Sequence, residues 1–189
     1  MIHATPHLTG PVANGLWAVQ DGPVNLYVLA APEGLVCVDA GWRAARIVEG
    51  FARLRLVPGN VRAVLLTHRH WDHARGLRAF PGADVFTSAS PRSLRVAGVH
   101  VDIVPCPGHT SDSTAFVVRG HHLFTGDTVW LRGGLACPGP RWLNRDGRAL
   151  AASLRQLAAI DGLEAIHTAH TGSTTDVGRA FAAWKGGSA

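Results

Sequence analysis

The stretch Thr67-His68-Arg69-His70-Trp71-Asp72-His73 crowds four metal-capable side chains into residues 68–73, directly after the apolar run Ala63 to Leu66. It reads as a metal site on a loop at a strand end. Successive side chains alternate sides in extended backbone, so His68 and His70 aim at one point while Arg69 and Trp71 turn away. Asp72 and His73 are adjacent, and a bend there directs them toward a second point nearby.

Three further donors stand at junctions between elements: His109 in Pro105-Cys106-Pro107-Gly108-His109-Thr110, Asp127 in Phe124-Thr125-Gly126-Asp127-Thr128, and His170 in His167-Thr168-Ala169-His170-Thr171-Gly172. Each follows a predicted strand, where a loop presents side chains from a rigid scaffold. Imidazole and carboxylate together suit zinc, iron or manganese, and the softest ligand, thiolate, is missing. Seven donors are too many for one tetrahedral ion and about right for two ions that share one carboxylate and leave room for water. His167 competes with His170 for the last position, and His170 is preferred because it lies in the loop beside Thr171-Gly172.

Apolar runs at Gly15–Val19, Val24–Leu29 and Leu35–Val38, separated by turn signals, predict early antiparallel strands. Ile47, Phe51 and Leu54 then recur at helical spacing up to Pro58-Gly59-Asn60. The expected order continues with a strand at Ala63–Leu66, a short helix from about His73 to Phe80, and strands near Asp84–Thr87 and His100–Val104. A hairpin of Thr114–Val118 with His121–Thr125 follows, then a long, partly ordered loop from Trp130 to Asp146. Leu150, Leu154 and Leu157 mark a helix, Ala165–His167 a strand, and Val177, Ala180, Phe181 and Trp184 a terminal helix. This order predicts an α/β fold with two sheets between helical layers, as one domain over residues 1–189. Periodicity alone does not separate that topology from a three-layer arrangement.

The five motifs Asp39, His68-x-His70-x-Asp72-His73, His109, Asp127 and His170 together resemble the metallo-β-lactamase-fold superfamily of metallohydrolases, in the family's order and over nearly the whole chain. The resemblance implies a four-layer αββα sandwich with its site at one edge of the paired sheets. It implies that His68, His70 and His109 bind one metal, that Asp72, His73 and His170 bind a second, and that Asp127 bridges them. Asp39 is expected behind these ligands, orienting His73 or polarising nearby ligands, and Asp72 is expected to combine ligation with proton transfer. Two divalent ions are implied, zinc first, with iron or manganese as alternatives, and water shared between them is the expected nucleophile.

The Asp127 and His109 motifs look most like glyoxalase II and its relatives, which hydrolyse glutathione thioesters; many dedicated zinc β-lactamases carry cysteine at the Asp127 position. The expected function is therefore hydrolysis of a small thioester or ester. Two departures from glyoxalase II stand out: the length leaves no room for its helical glutathione-binding domain, and Arg75 occupies a usual glycine position. The same fold supports lactonases, phosphodiesterases, nucleases and mononuclear iron persulfide dioxygenases, the last through His68, His109 and Asp127.

Composition narrows the partners. The formal net charge is +5, yet the arginines are scattered and Lys185 is the only lysine, so nucleic acid is not the expected partner. A small substrate is expected, with an arginine available to draw negative charge if it is anionic. Cys37, Cys106 and Cys137 are isolated and suggest neither disulfides nor a zinc ribbon. No apolar run reaches membrane-spanning length and residues 1–6 carry no signal-peptide pattern, so a cytoplasmic protein is expected. Adjacent His121 and His122 read as hairpin surface, and His3, His7 and His100 carry no motif.

Overall fold

The computed structural model describes residues 4–186; His3 and the first residues of the N-terminal pattern lie outside the described residues. The first sheet holds β1 (Gly10–Ala13), β2 (Leu16–Asp21), β3 (Val24–Ala31), β4 (Gly34–Val38), β5 (Val61–Leu65) and β6 (Asp84–Phe86), side by side in that order. The second begins with β7 (Ser93–Val96), β8 (Val99–Pro105), β9 (Thr114–Val118) and β10 (His122–Phe124). After a separate small hairpin, β11 (Trp130–Arg132) and β12 (Leu135–Cys137), the second sheet is completed by β13 (Ala165–Thr168) and β14 (Gly172–Thr174). Its spatial order is β14-β13-β10-β9-β8-β7.

Three apolar clusters make this a four-layer sandwich. Between the sheets, Leu16, Tyr27, Leu29, Val38 and Leu65 meet Val101, Ile103, Phe116, Val118 and Phe124. On the outer face of the first sheet, helix α1 (Ala44–Arg53) buries Ile47 and Phe51 against Val19, Leu26, Val28 and Val64. Outside the second sheet, helix α3 (Gly147–Ala158) buries Leu150, Leu154 and Leu157 with Val117, Leu123, Ile166 and Phe181. Burying a Leu, Ile or Phe side chain contributes about 1.5–3 kcal/mol, so these outer layers hold the helices at the level of tertiary packing rather than propensity.

Several boundaries differ from the sequence expectation. The helix expected over His73–Phe80 starts earlier, as α2 (Trp71–Ala74), and tightens to a 3₁₀ turn over Arg75–Ala79. Gly76 explains the tightening: its N–H donates to Gly41 O at 2.9 Å, and a Cβ there would overlap Ala40 O. The expected 130–146 loop contains the β11–β12 hairpin, whose Gly133-Gly134 turn takes positive φ at both positions, as a type I′ turn requires. The terminal helix shrinks to α4 (Val177–Ala180), although Trp184 stays anchored by Nε1–H donation to Ala136 O at 2.8 Å. The short edge strands β1, β7 and β14 escaped prediction because runs of three or four residues are too short for a periodic pattern to stand out.

Strand direction explains where the chemistry gathers. β4 and β5 are parallel neighbours, and so are β10 and β13. β8 runs antiparallel to β9, which runs antiparallel to β10, so β8, β10 and β13 share a direction. The residues following β4, β5, β8, β10 and β13 thus emerge together, carrying Asp39, His68 to His73, His109, Asp127 and His170. Backbone bonds between the sheets clamp this edge: Thr114 N–H donates to Thr67 O at 2.9 Å, and Asn25 N–H to Ala169 O at 2.8 Å.

Candidate metal centre

Asp39 leaves β4 with φ 61°, a left-handed conformation that aspartate tolerates better than most residues. This turns its carboxylate under the histidine loop. Its Oδ1 accepts the Thr67 backbone N–H at 2.8 Å, and its Oδ2 accepts from His73 Nδ1 at 2.8 Å. The Thr67 hydroxyl also donates to Asp39, at 2.9 Å. With its only proton committed, that hydroxyl accepts from His68 Nδ1, 3.1 Å away.

The same reasoning assigns the tautomers of the other imidazoles. Asn144 gives its amide hydrogens to Gly139 O and Pro140 O at 3.0 and 3.1 Å, so Oδ1 is the atom that faces His109 Nδ1 at 3.1 Å. His109 therefore carries its proton on Nδ1. His170 donates from Nδ1 to Pro23 O at 2.7 Å. In the neutral tautomers that these contacts set, His68, His73, His109 and His170 all turn the Nε2 lone pair inward, the arrangement that metal-binding histidines take from their hydrogen-bond partners. His70 instead points Nδ1 at the cluster, 3.1 Å from His68 Nε2 and 3.0 Å from His109 Nε2.

Two donor groups result: His68, His70, His109 and Asp127 in one, and Asp72, His73 and His170 in the other. Asp127 faces both. Its Oδ2 is 3.3 Å from His109 Nε2, while Oδ1 lies 3.2 Å from His170 Nε2 and 3.3 Å from His73 Nε2. Asp72 Oδ2 stands 3.7 Å from His170 Nε2 and 3.9 Å from His73 Nε2.

The buried atoms test whether cations fit. His73 Nε2 and Asp127 Oδ1 are enclosed without a hydrogen-bond partner, which is costly unless another charge satisfies them. Divalent cations bound among these nitrogen and oxygen donors would do so. Electrostatics point the same way. Burial opposes the charged form of His73, but Asp127 and Asp39 outweigh it and raise its pKa well above the usual value. Burial likewise opposes charge on His170, and Asp127 overcomes it. Burial also disfavours the Asp127 carboxylate, yet His73 and His170 hold its pKa well below the ordinary range. Each of these contacts calls for positive charge beside Asp127. Burial lowers the pKa of His68 well below normal, and neighbouring His73 adds to it; burial and His109 do the same for His70. Both present lone pairs at neutral pH.

The centre opens into a cleft of about 370 Å³ lined by His70, Asp72, His109, Asp127 and His170, with Pro23, Trp71, Trp130 and Leu143 among its walls. Trp130 stacks on His170, with ring centroids 5.0 Å apart and planes 26° apart. Trp71 does not turn away as extended backbone predicts. The α2 turn begins at this residue and brings its ring to the rim, against Trp42 at 4.4 Å. Arg69 does point outward, toward Asp112 at 3.8 Å. Arg75 is exposed, and no arginine or lysine lines the cleft among the described residues.

All seven expected ligands and Asp39 come together here, whereas His167 faces away, with Nε2 3.1 Å from His122 Nδ1. His122, read as hairpin surface, sits on β10 of that hairpin and is half-buried in that contact. Sequence reasoning missed Thr67, Asn144 and the Pro23 carbonyl. Thr67 adjoined the motif, but Asn144 and Pro23 lie 35 and 147 residues from their histidines and gave no local signal.

The profile of the Metallo-beta-lactamase superfamily matches residues 19–98. A hydroxyacylglutathione hydrolase of Xanthomonas oryzae pv. oryzae (strain MAFF 311018) is 32% identical over 154 residues, covering 72% of this chain and 56% of that protein. A probable polyketide biosynthesis zinc-dependent hydrolase, BaeB, of Bacillus velezensis is 26% identical over 133 residues, covering 59% of this chain and 57% of that protein. The chain thus spans little more than half the length of these relatives. Among solved structures, a metallo-beta-lactamase from Pontibacter korlensis superposes with a TM-score of 0.74 at 16% identity, covering 95% of this chain and 99% of that one, a likeness of fold.

Proposed function

Because the chain belongs to the metallo-β-lactamase superfamily, by its fold and its matched sequence, we propose that it is a metal-dependent hydrolase that cleaves a small thioester or related ester with two divalent cations, zinc before iron or manganese. The observation that carries this reading is the position of Asp127, with one carboxylate oxygen toward each donor group. His68, His70 and His109 would hold one cation and Asp72, His73 and His170 the other. When bound, such a pair lowers the pKa of water toward neutrality and polarises an acyl oxygen. Asp72, which lines the cleft, would take up a proton, and Asp39 would keep His73 oriented through their hydrogen bond. Zinc is favoured by the nitrogen and oxygen donors and by the name of the Bacillus velezensis relative.

The cleft walls refine the substrate. Trp71, Trp130, Leu143 and Pro23 favour a compact, uncharged acyl group; among the described residues no arginine or lysine lines the cleft, so attraction of an anionic substrate would rest on the bound cations. Thioester chemistry follows the name of the Xanthomonas oryzae relative.

The test is metal analysis of protein purified without added metal, followed by turnover of short acyl thioesters, lactones, β-lactams and phosphodiesters at matched metal loading. About two zinc ions per chain and thioester cleavage that persists without oxygen are expected. A single iron with oxygen consumption, or a clear preference for β-lactams or phosphodiesters, overturns the reading.

A further inference from the structure

A second set of imidazoles converges away from the metal centre. A cleft of about 660 Å³ opens between the edge strands β1 and β14 and is lined by His7, Asn14, His122, Glu164, His167 and Ser173, among others. It shares no lining residue with the cleft at the metal centre. His122 and His167 belong to the parallel neighbours β10 and β13, where Phe124 is the register partner of His167. His122 is two residues before Phe124, so both imidazoles rise from one face of the sheet.

The contacts form a chain. His7 Nε2 lies 2.9 Å from Ser173 Oγ, His167 Nδ1 lies 2.7 Å from the same oxygen, and His167 Nε2 lies 3.1 Å from His122 Nδ1. When Ser173 donates to His7, it accepts from His167 Nδ1–H, which leaves His167 Nε2 as a lone pair aimed at His122. Two imidazole nitrogens bound about 2.0–2.1 Å from one cation at ordinary coordination angles stand about 2.9–3.3 Å apart. The His122–His167 spacing falls in that range and equals the 3.1 Å between His68 Nε2 and His70 Nδ1 in the metal centre.

We propose that His122 Nδ1 and His167 Nε2 are the protein donors of a separate site for a late first-row divalent cation, copper(II) above all. Two imidazoles without thiolate, with the remaining positions open to a roomy cleft, suit copper(II), which such donors bind most tightly in that series. Glu164 lines the same cleft and its charge favours a cation near His122, against the opposing influence of His121 and Arg119. Burial lowers the pKa of His7, His122 and His167, so the imidazoles are uncharged at neutral pH and each keeps one nitrogen lone pair. Ser173 acts through His167, as the hydroxyl that sets its tautomer.

The experiment adds one equivalent of copper(II) to zinc-loaded protein, removes unbound metal by gel filtration, and counts both metals alongside the copper EPR spectrum. The expected result is one copper per chain with two nitrogen donors and no loss of zinc. His122→Ala and His167→Ala lose the copper and keep the zinc, and Ser173→Ala weakens copper at least about tenfold, the usual effect of removing an orienting partner. Retained zinc also reports that each variant has folded; if His167→Ala does not, His122→Ala decides. Copper that displaces zinc, or that binds His122→Ala as well as the parent, overturns the proposal and leaves the pair as an imidazole–imidazole hydrogen bond.

Discussion

Asp39 and His73 are joined by a 2.8 Å hydrogen bond with both side chains almost fully enclosed, at 3% and 0% exposure. The carboxylate that orients His73 also accepts the Thr67 N–H, so one residue ties two parts of the histidine loop to the end of β4. Asp39→Ala strands those donors. Metal affinity is expected to fall about 10–100-fold, with about 1–3 kcal/mol of stability lost for an unsatisfied buried donor. Chelator competition and urea unfolding measure the two effects, and unchanged metal affinity would remove the orienting role.

Asn144 is the corresponding partner of His109. Asn144→Ala is expected to weaken metal binding about 10–100-fold. Asn144→Asp keeps an oxygen acceptor for the Nδ1 proton and should restore most of the affinity, although it loses the amide bonds to Gly139 O and Pro140 O. Equal weakening in both variants would assign Asn144 to loop stability alone.

Gly126 precedes Asp127 at φ 52°, and a Cβ there would overlap the Thr67 hydroxyl. Gly126→Ala therefore strains the backbone and pushes Thr67 away from Asp39 and His68. A stability loss of about 1–3 kcal/mol is expected from overpacking, together with lower metal content. A variant with parental stability and zinc content would show that the edge absorbs the methyl group.

His167 gives a pH dependence away from the two donor groups of the metal centre. Burial pushes its pKa down to about 3, against an ordinary value of 6.5. As pH falls below 6.5 the unfolded chain takes up this proton while the folded protein does not, so stability is full above 6.5 and is lost progressively toward pH 3. His7 and His122 are lowered by burial and act in the same direction. Unfolding of the parent and of His167→Gln at pH 7 and 5 should show a shallower acid loss in the variant. Identical slopes would count against this origin.

The donors were legible in the sequence because each sits just after a strand-forming run, so local pattern and residue chemistry coincide. The choice of His170 over His167 rested on such a local difference, loop against strand, and the structure turns the two imidazoles to different neighbours. Trp71 was misread because the extended pattern was carried one residue too far, into the turn that starts α2.

By itself, then, the sequence determined which side chains are available for chemistry and which ends of which strands carry them, because donor type and strand periodicity are properties of short segments. The tertiary structure alone decided how those donors are aimed. Asn144 reaches His109, and the Pro23 carbonyl reaches His170, through contacts between segments distant in the chain. It also decided that, among the described residues, no arginine or lysine lines the cleft and that His122 meets His167. These outcomes depend on strand order and sheet-on-sheet packing, which bring separate segments within hydrogen-bond reach and leave no mark in the local pattern of either one.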